Sequence, residues 1–127
     1  MRGLLIDDNT EITDMISQFL TLNGHDCTVS NNAEDGLQQI WGKKYDFVLL
    51  DMAMPEVSGF DVIESLEKRG KLNEHKIIVI TASSVTDEEL ADLLKRGVRK
   101  CLKKPIVLDS LLDVIRDLVL DHEEITS

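Results

Sequence analysis

Carboxylates follow two of the apolar stretches in this sequence. Asp7 and Asp8 come directly after the run LLI, and Asp51 follows the run FVLL. Three carboxylates held close together repel one another, so such a cluster would require a cation. An all-oxygen site with few protein ligands suits Mg²⁺, which keeps several waters and accepts phosphate oxygens. The three aspartates are therefore candidate ligands of a divalent cation.

Two further apolar runs end in groups that suit phosphoryl chemistry. The run IIVI ends in Thr81, and the run CLKKP contains Lys103 and Lys104 before Pro105. Asp51 is a candidate nucleophile toward phosphorus, and the Lys104 ammonium and the Thr81 hydroxyl would meet the charge that develops on the phosphoryl oxygens. Any one of these residues alone is typical of a turn, a helix cap or a solvated lysine. Their joint occurrence at four strand ends indicates a site.

The segments that must position these residues alternate between strand and helix patterns. Helical patterns, with apolar residues three or four apart, follow each of five short β-rich runs. The runs cover residues 3–6, 25–30, 46–50, 76–81 and 98–103. Continuous apolar runs such as FVLL are typical of strands covered on both faces. The alternation predicts an α/β domain with a parallel sheet, helices on both faces and a ligand site at the carboxyl ends of the strands.

Composition limits the class of protein. The 127 residues are 43% hydrophobic, which is enough to fill one core and predicts a single domain. We expect this domain to cover residues 1–121, because the residues after the fifth helical pattern, 122–127, resemble a frayed polar tail. The formal net charge of -10 argues against direct binding of nucleic acid or an anionic membrane. No apolar run approaches the ~20 residues of a membrane span, and the two cysteines form no CxxC pair. We therefore expect a cytoplasmic protein.

The stretches LLIDDN, VLLDMAMPEVSGFDV, IIVITAS and CLKKP together resemble the response-regulator receiver domain of two-component signalling. The resemblance extends from Gly3 to about Leu120 and implies a flavodoxin-like, doubly wound (βα)5 fold with strand order 2-1-3-4-5. It implies that Asp51 accepts a phosphoryl group from a phosphohistidine on a sensor kinase or phosphotransfer protein. The implied cofactor is Mg²⁺, for which Mn²⁺ is a possible substitute.

The resemblance also assigns roles within the cation site. It implies that Asp8 and Asp51 ligate Mg²⁺ directly and that Asp7 acts through water. The backbone carbonyl of Ala53 is the implied further ligand.

A second set of implied roles concerns the phosphoryl group. Thr81 would bond this group and move towards it on activation, and Lys104 would pair with it. The Lys104–Pro105 peptide bond would be cis, an isomer that sequence pattern alone does not predict. Ala82 is small, as the family expects, and leaves access to the phosphoryl group.

Cys101 departs from the family pattern. Family members usually carry Tyr or Phe three residues before the lysine, and that ring rotates inward as the threonine moves. Because cysteine is compact, we expect signalling through shifts of the loops and the fourth helix instead. Lys100 belongs to a basic run near the face formed by the fourth helix, fifth strand and fifth helix. The resemblance makes that face the docking site for a downstream protein, with the chain a monomer or a phosphorylation-dependent dimer.

Three other functions compete with this interpretation. A Mg²⁺-dependent phosphatase or phosphotransferase often has a second acid two residues after its nucleophile, where this chain has Ala53, so we expect no enzyme beyond self-phosphorylation and self-dephosphorylation. A constitutive interaction domain would be favoured by loss of a key residue, but all are present. A flavin binder would need a phosphate loop where Asp7 and Asp8 would repel phosphate. Whether the chain is free-standing or part of a longer protein stays open.

Overall fold

The computed structural model describes residues 1–54, 58–70, 72, 75–82 and 84–126, with side chains described as far as residue 118. Pro55 and its neighbours in the DMAMPEVSG stretch, residues 56 and 57, lie outside the described residues. The strands are β1 (Arg2–Ile6), β2 (Asp26–Ser30), β3 (Phe47–Asp51), β4 (Ile77–Thr81) and β5 (Lys100–Lys103). The helices are α1 (Thr10–Leu22), α2 (Ala33–Gly42), α3 (Gly59–Lys68), α4 (Asp87–Arg96) and α5 (Leu108–Thr126).

The five strands form one parallel sheet in the order β2-β1-β3-β4-β5, which confirms the predicted order. The register brings the carboxyl ends of neighbouring strands side by side. Ile6 at the end of β1 lies opposite Leu50, and Thr81 at the end of β4 lies opposite Lys103. The residues that follow these strands therefore meet at one edge of the sheet.

Helices cover both faces of the sheet because successive strand residues point to opposite sides. Leu5 and Leu49 belong to a buried core that contains side chains of α1 and α5. Their neighbours Leu4 and Val48 belong to a second core that contains side chains of α2, α3 and α4. This two-sided burial explains the continuous apolar runs and confirms the doubly wound architecture.

Short polar caps and glycines set the helix ends. The side chains of Asn9, Asn32 and Thr86 accept hydrogen bonds from backbone N–H groups in the first turns of α1, α2 and α4. Gly24 follows α1 with φ of 88°, and Gly97 follows α4 with φ of 126°. Both φ values lie in the left-handed region that favours glycine, and each glycine therefore suits the end of its helix.

Two predicted boundaries differ from the structure. β5 begins at Lys100 and not at Val98, because the N–H of Val98 donates to the carbonyl of Leu93 and closes the end of α4. α5 continues through residues 122–126, which the sequence predicts as a frayed tail, since no glycine or proline interrupts the helix after Leu108. The division between a domain over 1–121 and a tail stays a prediction. In the described part of the chain, no helix combines the length and apolar character needed to cross a bilayer.

Candidate functional site

Asp7 and Asp8, here called the acidic pair, lie in the turn between β1 and α1. The N–H of Asp7 donates to the carbonyl of Ser30 at 3.1 Å, which extends the pairing of β1 with β2 by one residue. Asp7 is buried, and its Oδ1 accepts from the N–H of Asn9 at 3.0 Å. The Asn9 side chain, and not an aspartate of the pair, is the N-cap of α1. Asp8 is exposed and is therefore available to a ligand at the edge of the sheet.

Asp51 ends β3 as a buried carboxylate, with only 2% of its side chain exposed. Its Oδ1 accepts from the N–H of Ala53 at 3.2 Å and lies 3.3 Å from Nζ of Lys104. The strand that presents Asp51 is buried along its whole length. A charged carboxylate in such a position needs a partner, and Lys104 supplies one while remaining one-third exposed.

Asp7, Asp8 and Asp51 converge as the sequence predicts. One carboxylate oxygen from each lies within 4.8 Å of the others. The pKa of Asp7 is raised to about 6, chiefly by burial and also by the charge of Asp51, whereas the hydrogen bond from Asn9 and the charge of Lys104 act to lower it. The cluster therefore concentrates more negative charge than Lys104 alone offsets.

The donor set fits a small divalent cation. Oδ2 of Asp7 is buried and has no hydrogen-bond partner among the described residues. Such an atom is costly to leave unpaired, and a cation beside it would remove that cost. The three groups are carboxylates, the hard oxygen ligands that Mg²⁺ prefers. Asp7, Asp8 and Asp51 would thus hold the ion.

Thr81 and Lys104 lie at the same edge. Thr81 ends β4 and is buried, and its carbonyl accepts from the N–H of Lys104 at 2.8 Å. The Thr81 hydroxyl makes only a long contact of 3.5 Å with the carbonyl of Leu102, so it is weakly held. The Lys104–Pro105 bond is cis, as expected from the resemblance. Ala82 is exposed beside Thr81.

Lys100 and Cys101 lie apart from this cluster, on edge strand β5. Lys100 is exposed, and Cys101 is half-buried against the core beneath α2, α3 and α4. Burial raises the pKa of the Cys101 thiol, and burial followed by the charge of Asp26 raises that of Cys27 to about 11. Both cysteines are free, and their strands are opposite edges of the sheet.

Sequence reasoning missed a polar contact behind the acidic pair. Nδ2 of Asn31, just after β2, donates to the main-chain oxygen of Asp7 at 2.9 Å and lies 3.3 Å from Oγ1 of Thr13. Asn31 adds no charge, so a search for charged strand ends passes over it. The available signal was Thr13, a polar residue on the buried stripe of α1 that also contains Ile16 and Leu20.

Curated relatives match this chain over most of its length. A family model described as the response regulator receiver domain matches residues 4–116. The transcriptional regulatory protein CpxR homolog of Haemophilus influenzae is 34% identical over 102 residues, which are 80% of this chain and 43% of that protein. The sensory/regulatory protein RpfC of Xanthomonas campestris pv. campestris is 28% identical over 128 residues, 100% of this chain and 18% of that protein. The chain spans less than half the length of these relatives.

Solved structures show the same architecture. A CheY-like response regulator receiver domain protein from Methanospirillum hungatei JF-1 is 27% identical, with a TM-score of 0.84 and coverage of 99% of this chain and 98% of that one. The response regulator TrrA from Thermotoga maritima, solved in complex with Mg(2+)-BeF, is also 27% identical, with a TM-score of 0.77 and coverage of 92% and 97%. With the family model, the strand order and the convergent acidic cluster, these matches show that the chain belongs to the response regulator receiver domain family.

Proposed function

We propose that this receiver domain is the phosphoacceptor of a two-component or phosphorelay system, with Asp51 as the residue that accepts the phosphoryl group. One observation carries the proposal. The buried Asp51 carboxylate lies 3.3 Å from the Lys104 ammonium and within 4.8 Å of the acidic pair, at the carboxyl edge of the sheet. This is the arrangement that an anionic nucleophile needs before it can approach an anionic phosphoryl group.

The transfer would proceed by attack of an Asp51 carboxylate oxygen on phosphorus. The new O–P bond forms as the N–P bond of a donor phosphohistidine breaks, and the imidazole nitrogen leaves with the bonding electron pair. Lys104 and the weakly held Thr81 hydroxyl would then bond the phosphoryl oxygens. A bound Mg²⁺, held by Asp8 and Asp51 directly, by Asp7 through water and by the carbonyl of Ala53, would supply further positive charge.

Two observations support Mg²⁺ as the cofactor. The unpaired, buried Oδ2 of Asp7 belongs to an all-carboxylate donor set. The similar Thermotoga maritima protein was solved in complex with Mg(2+)-BeF. Mn²⁺ prefers the same oxygen donors and is the expected substitute.

The competing functions lack comparable support. Residue 53, where a phosphatase of this chemistry would carry a second acid, is an exposed alanine. We therefore expect only self-phosphorylation and slow self-dephosphorylation, with negligible turnover of free phosphoesters. A constitutive interaction domain would have no need for a buried carboxylate that faces a lysine and two other acids, so we prefer the phosphoacceptor.

The surfaces suggest where partners would dock. An open apolar groove beside Lys104 is lined by Ile12, Met15, Pro105 and Ile106, and it offers a sensor kinase or phosphotransfer protein a surface next to Asp51. A downstream protein would bind the face of α4, β5 and α5, where Lys100 is exposed. The domain itself would be a monomer or would form a dimer when phosphorylated. The proposed location is the cytoplasm.

Cys101 bears on how phosphorylation would reach that face. Because Cys101 has no ring to rotate, we propose that the loops and α4 move instead. Structures of the protein with and without a phosphoryl mimic test this proposal. Displacement of α4 is the expected result, and an unmoved α4 face would contradict it.

Phosphorylation can be tested by mass spectrometry of the intact protein. After incubation with Mg²⁺ and a small acyl phosphate, we expect the wild type to gain one phosphoryl group. Asp51→Asn should gain none, and chelation of Mg²⁺ should abolish the gain in the wild type. The matched control is Asp14→Asn, which removes an exposed carboxylate from α1. No gain in the wild type, or an equal gain in Asp51→Asn, would contradict the proposal.

A further inference from the structure

One side-chain amide ties together the two segments that flank Asp8. Nδ2 of Asn31 lies 2.9 Å from the main-chain oxygen of Asp7 and 3.3 Å from Oγ1 of Thr13. Asp7 precedes Asp8, and Thr13 lies in the first turn of α1 after it. The amide of Asn31 therefore spans the turn that carries the acidic pair.

The partners determine which end of the Asn31 amide faces this turn. The main-chain oxygen of Asp7 can only accept a hydrogen bond. The Thr13 hydroxyl donates to the carbonyl of Thr10 at 3.1 Å, so towards Asn31 it also acts as an acceptor. Both contacts require the NH₂ group, since the amide oxygen has no hydrogen to donate. The site thus calls for two donors on one short side chain, which asparagine supplies and aspartate does not.

The burial of Thr13 provides independent support for this pair of contacts, in which the Asn31 amide links Asp7 to Thr13 and which we call the strap. α1 buries Thr13, Ile16 and Leu20 along one stripe, and Thr13 is only 1% exposed. A buried hydroxyl costs free energy unless it is hydrogen-bonded. Its bonds to Thr10 and Asn31 meet that need, and the bond to Asn31 connects the stripe to the turn behind the acidic pair.

We propose that Asn31 is a positioning residue of the cation site. It holds the backbone of Asp7, and through it the Asp7 and Asp8 carboxylates, against the mutual repulsion of three acids within 4.8 Å. The inference rests on the proposed function, because it assigns Asn31 to the Mg²⁺ site proposed there. Asn31 contacts the backbone and not the carboxylates, so it acts on the ion only through the residues that it holds.

The test compares Asn31→Ala with Asn32→Ala by calorimetric titration with Mg²⁺. Asn32 is the matched control, because its side chain caps α2 through the N–H of Asp35 at 2.7 Å and makes no bond to the turn. Groups that hold metal ligands in place typically change affinity by about 10- to 100-fold when removed. We expect Asn31→Ala to bind Mg²⁺ roughly 10-fold more weakly and Asn32→Ala to bind it as the wild type does.

A second variant and a metal-free readout complete the test. Thr13→Val removes the other anchor, and its effect should not add to that of Asn31→Ala, because both break one strap. Without metal, hydrogen exchange at the Asn9 amide, which donates to Oδ1 of Asp7, should be faster in Asn31→Ala and unchanged in Asn32→Ala.

The outcomes separate this inference from the proposed function. Wild-type binding of Mg²⁺ together with wild-type affinity in Asn31→Ala would overturn the inference alone. Equal weakening in Asn31→Ala and Asn32→Ala would also overturn it, since a general loss of loop stability would then explain both. Failure of the wild type to bind Mg²⁺ would contradict the proposed function and the inference with it.

Discussion

At the scale of single residues, Asp7 is an acid held in an unfavourable environment. It is buried beside Asp51, and one of its oxygens has no hydrogen-bond partner among the described residues. Its pKa is raised to about 6, first by burial and then by Asp51. The folded protein therefore holds the Asp7 proton more tightly than the unfolded chain does.

This shift has a defined sign for stability. The contribution of Asp7 is fully present below its ordinary pKa of 3.8 and is lost as the pH rises through about 6. Without metal, Asp7→Asn should therefore be more stable than the wild type at pH 8, by at most roughly 3 kcal/mol from a shift of about two units. The advantage should shrink as the pH falls from 6 towards 4. Urea unfolding in a chelator across this range measures the difference.

The control for Asp7→Asn is again Asp14→Asn, whose exposed carboxylate lies outside the cluster. Its difference from the wild type should change little over the same pH range. If Asp7→Asn is no more stable than the wild type at pH 8, ionisation of Asp7 does not lower the free energy of unfolding, and the prediction is wrong. Addition of Mg²⁺ should stabilise the wild type more than Asp7→Asn, because only the wild type keeps all three acids.

Lys104 should act on phosphoryl transfer and not on cation binding. Removal of one group that stabilises developing negative charge typically costs about 100-fold or more in rate, so we expect Lys104→Met to be phosphorylated about 100-fold more slowly. Its Mg²⁺ affinity should not fall, because the ammonium repels the cation. Lys103→Met is the control, since Lys103 is more exposed and pairs with Asp87 at 3.8 Å. Equal rates in the two variants would argue against the role of Lys104.

At the scale of elements, the junction of β3 and α3 holds Asp51 in place. A Cβ added at Gly59 would lie 2.6 Å from Cα of Met52 and 2.7 Å from the carbonyl oxygen of Asp51. Both atoms belong to the backbone, so they cannot move aside without shifting Asp51 itself. α3 can therefore begin this close to Asp51 only with glycine at its first position.

Gly59→Ala should accordingly destabilise the fold and slow the phosphorylation of Asp51. We expect a loss of about 1–3 kcal/mol, the range for overpacking a close contact, in urea unfolding. Gly42→Ala is the matched control, because no atom lies within 4 Å of its added Cβ. That change should leave stability equal or raise it by about 0.5–1 kcal/mol. A neutral Gly59→Ala would show that the junction is more compliant than its geometry indicates.

Much of the element order follows from local sequence, and the site only partly does. Apolar runs, N-caps such as Thr86 and helix-ending glycines such as Gly97 depend on residues close together in the chain, so they can be recognised in the sequence. Charged strand ends were predictable because parallel strands share an edge. The strand order and the cis bond before Pro105 came from the family resemblance. Asn31 was missed because its partners, Asp7 and Thr13, are distant in sequence and its side chain is uncharged.

At the scale of the whole molecule, the sheet order separates the two cysteines. Cys27 on β2 and Cys101 on β5 lie on opposite edges, four strand spacings or about 19 Å apart, whereas a disulfide requires Cα atoms within about 7 Å. Burial also raises the pKa of both thiols. After mild oxidation, we expect the monomeric protein to keep both thiols free and titratable. An intramolecular disulfide, seen by mass spectrometry, would contradict the strand order.

The central claim is that the fold brings Lys104 and the acidic pair to Asp51 so that this carboxylate accepts a phosphoryl group. The most direct measurement is to locate that group. Borohydride converts an aspartyl phosphate to homoserine, which peptide mapping by mass spectrometry identifies at a single position. After incubation with Mg²⁺ and an acyl phosphate, we predict homoserine at residue 51 and unmodified aspartate at 7 and 8. Homoserine at residue 7 or 8, or at none of the three, would contradict the account.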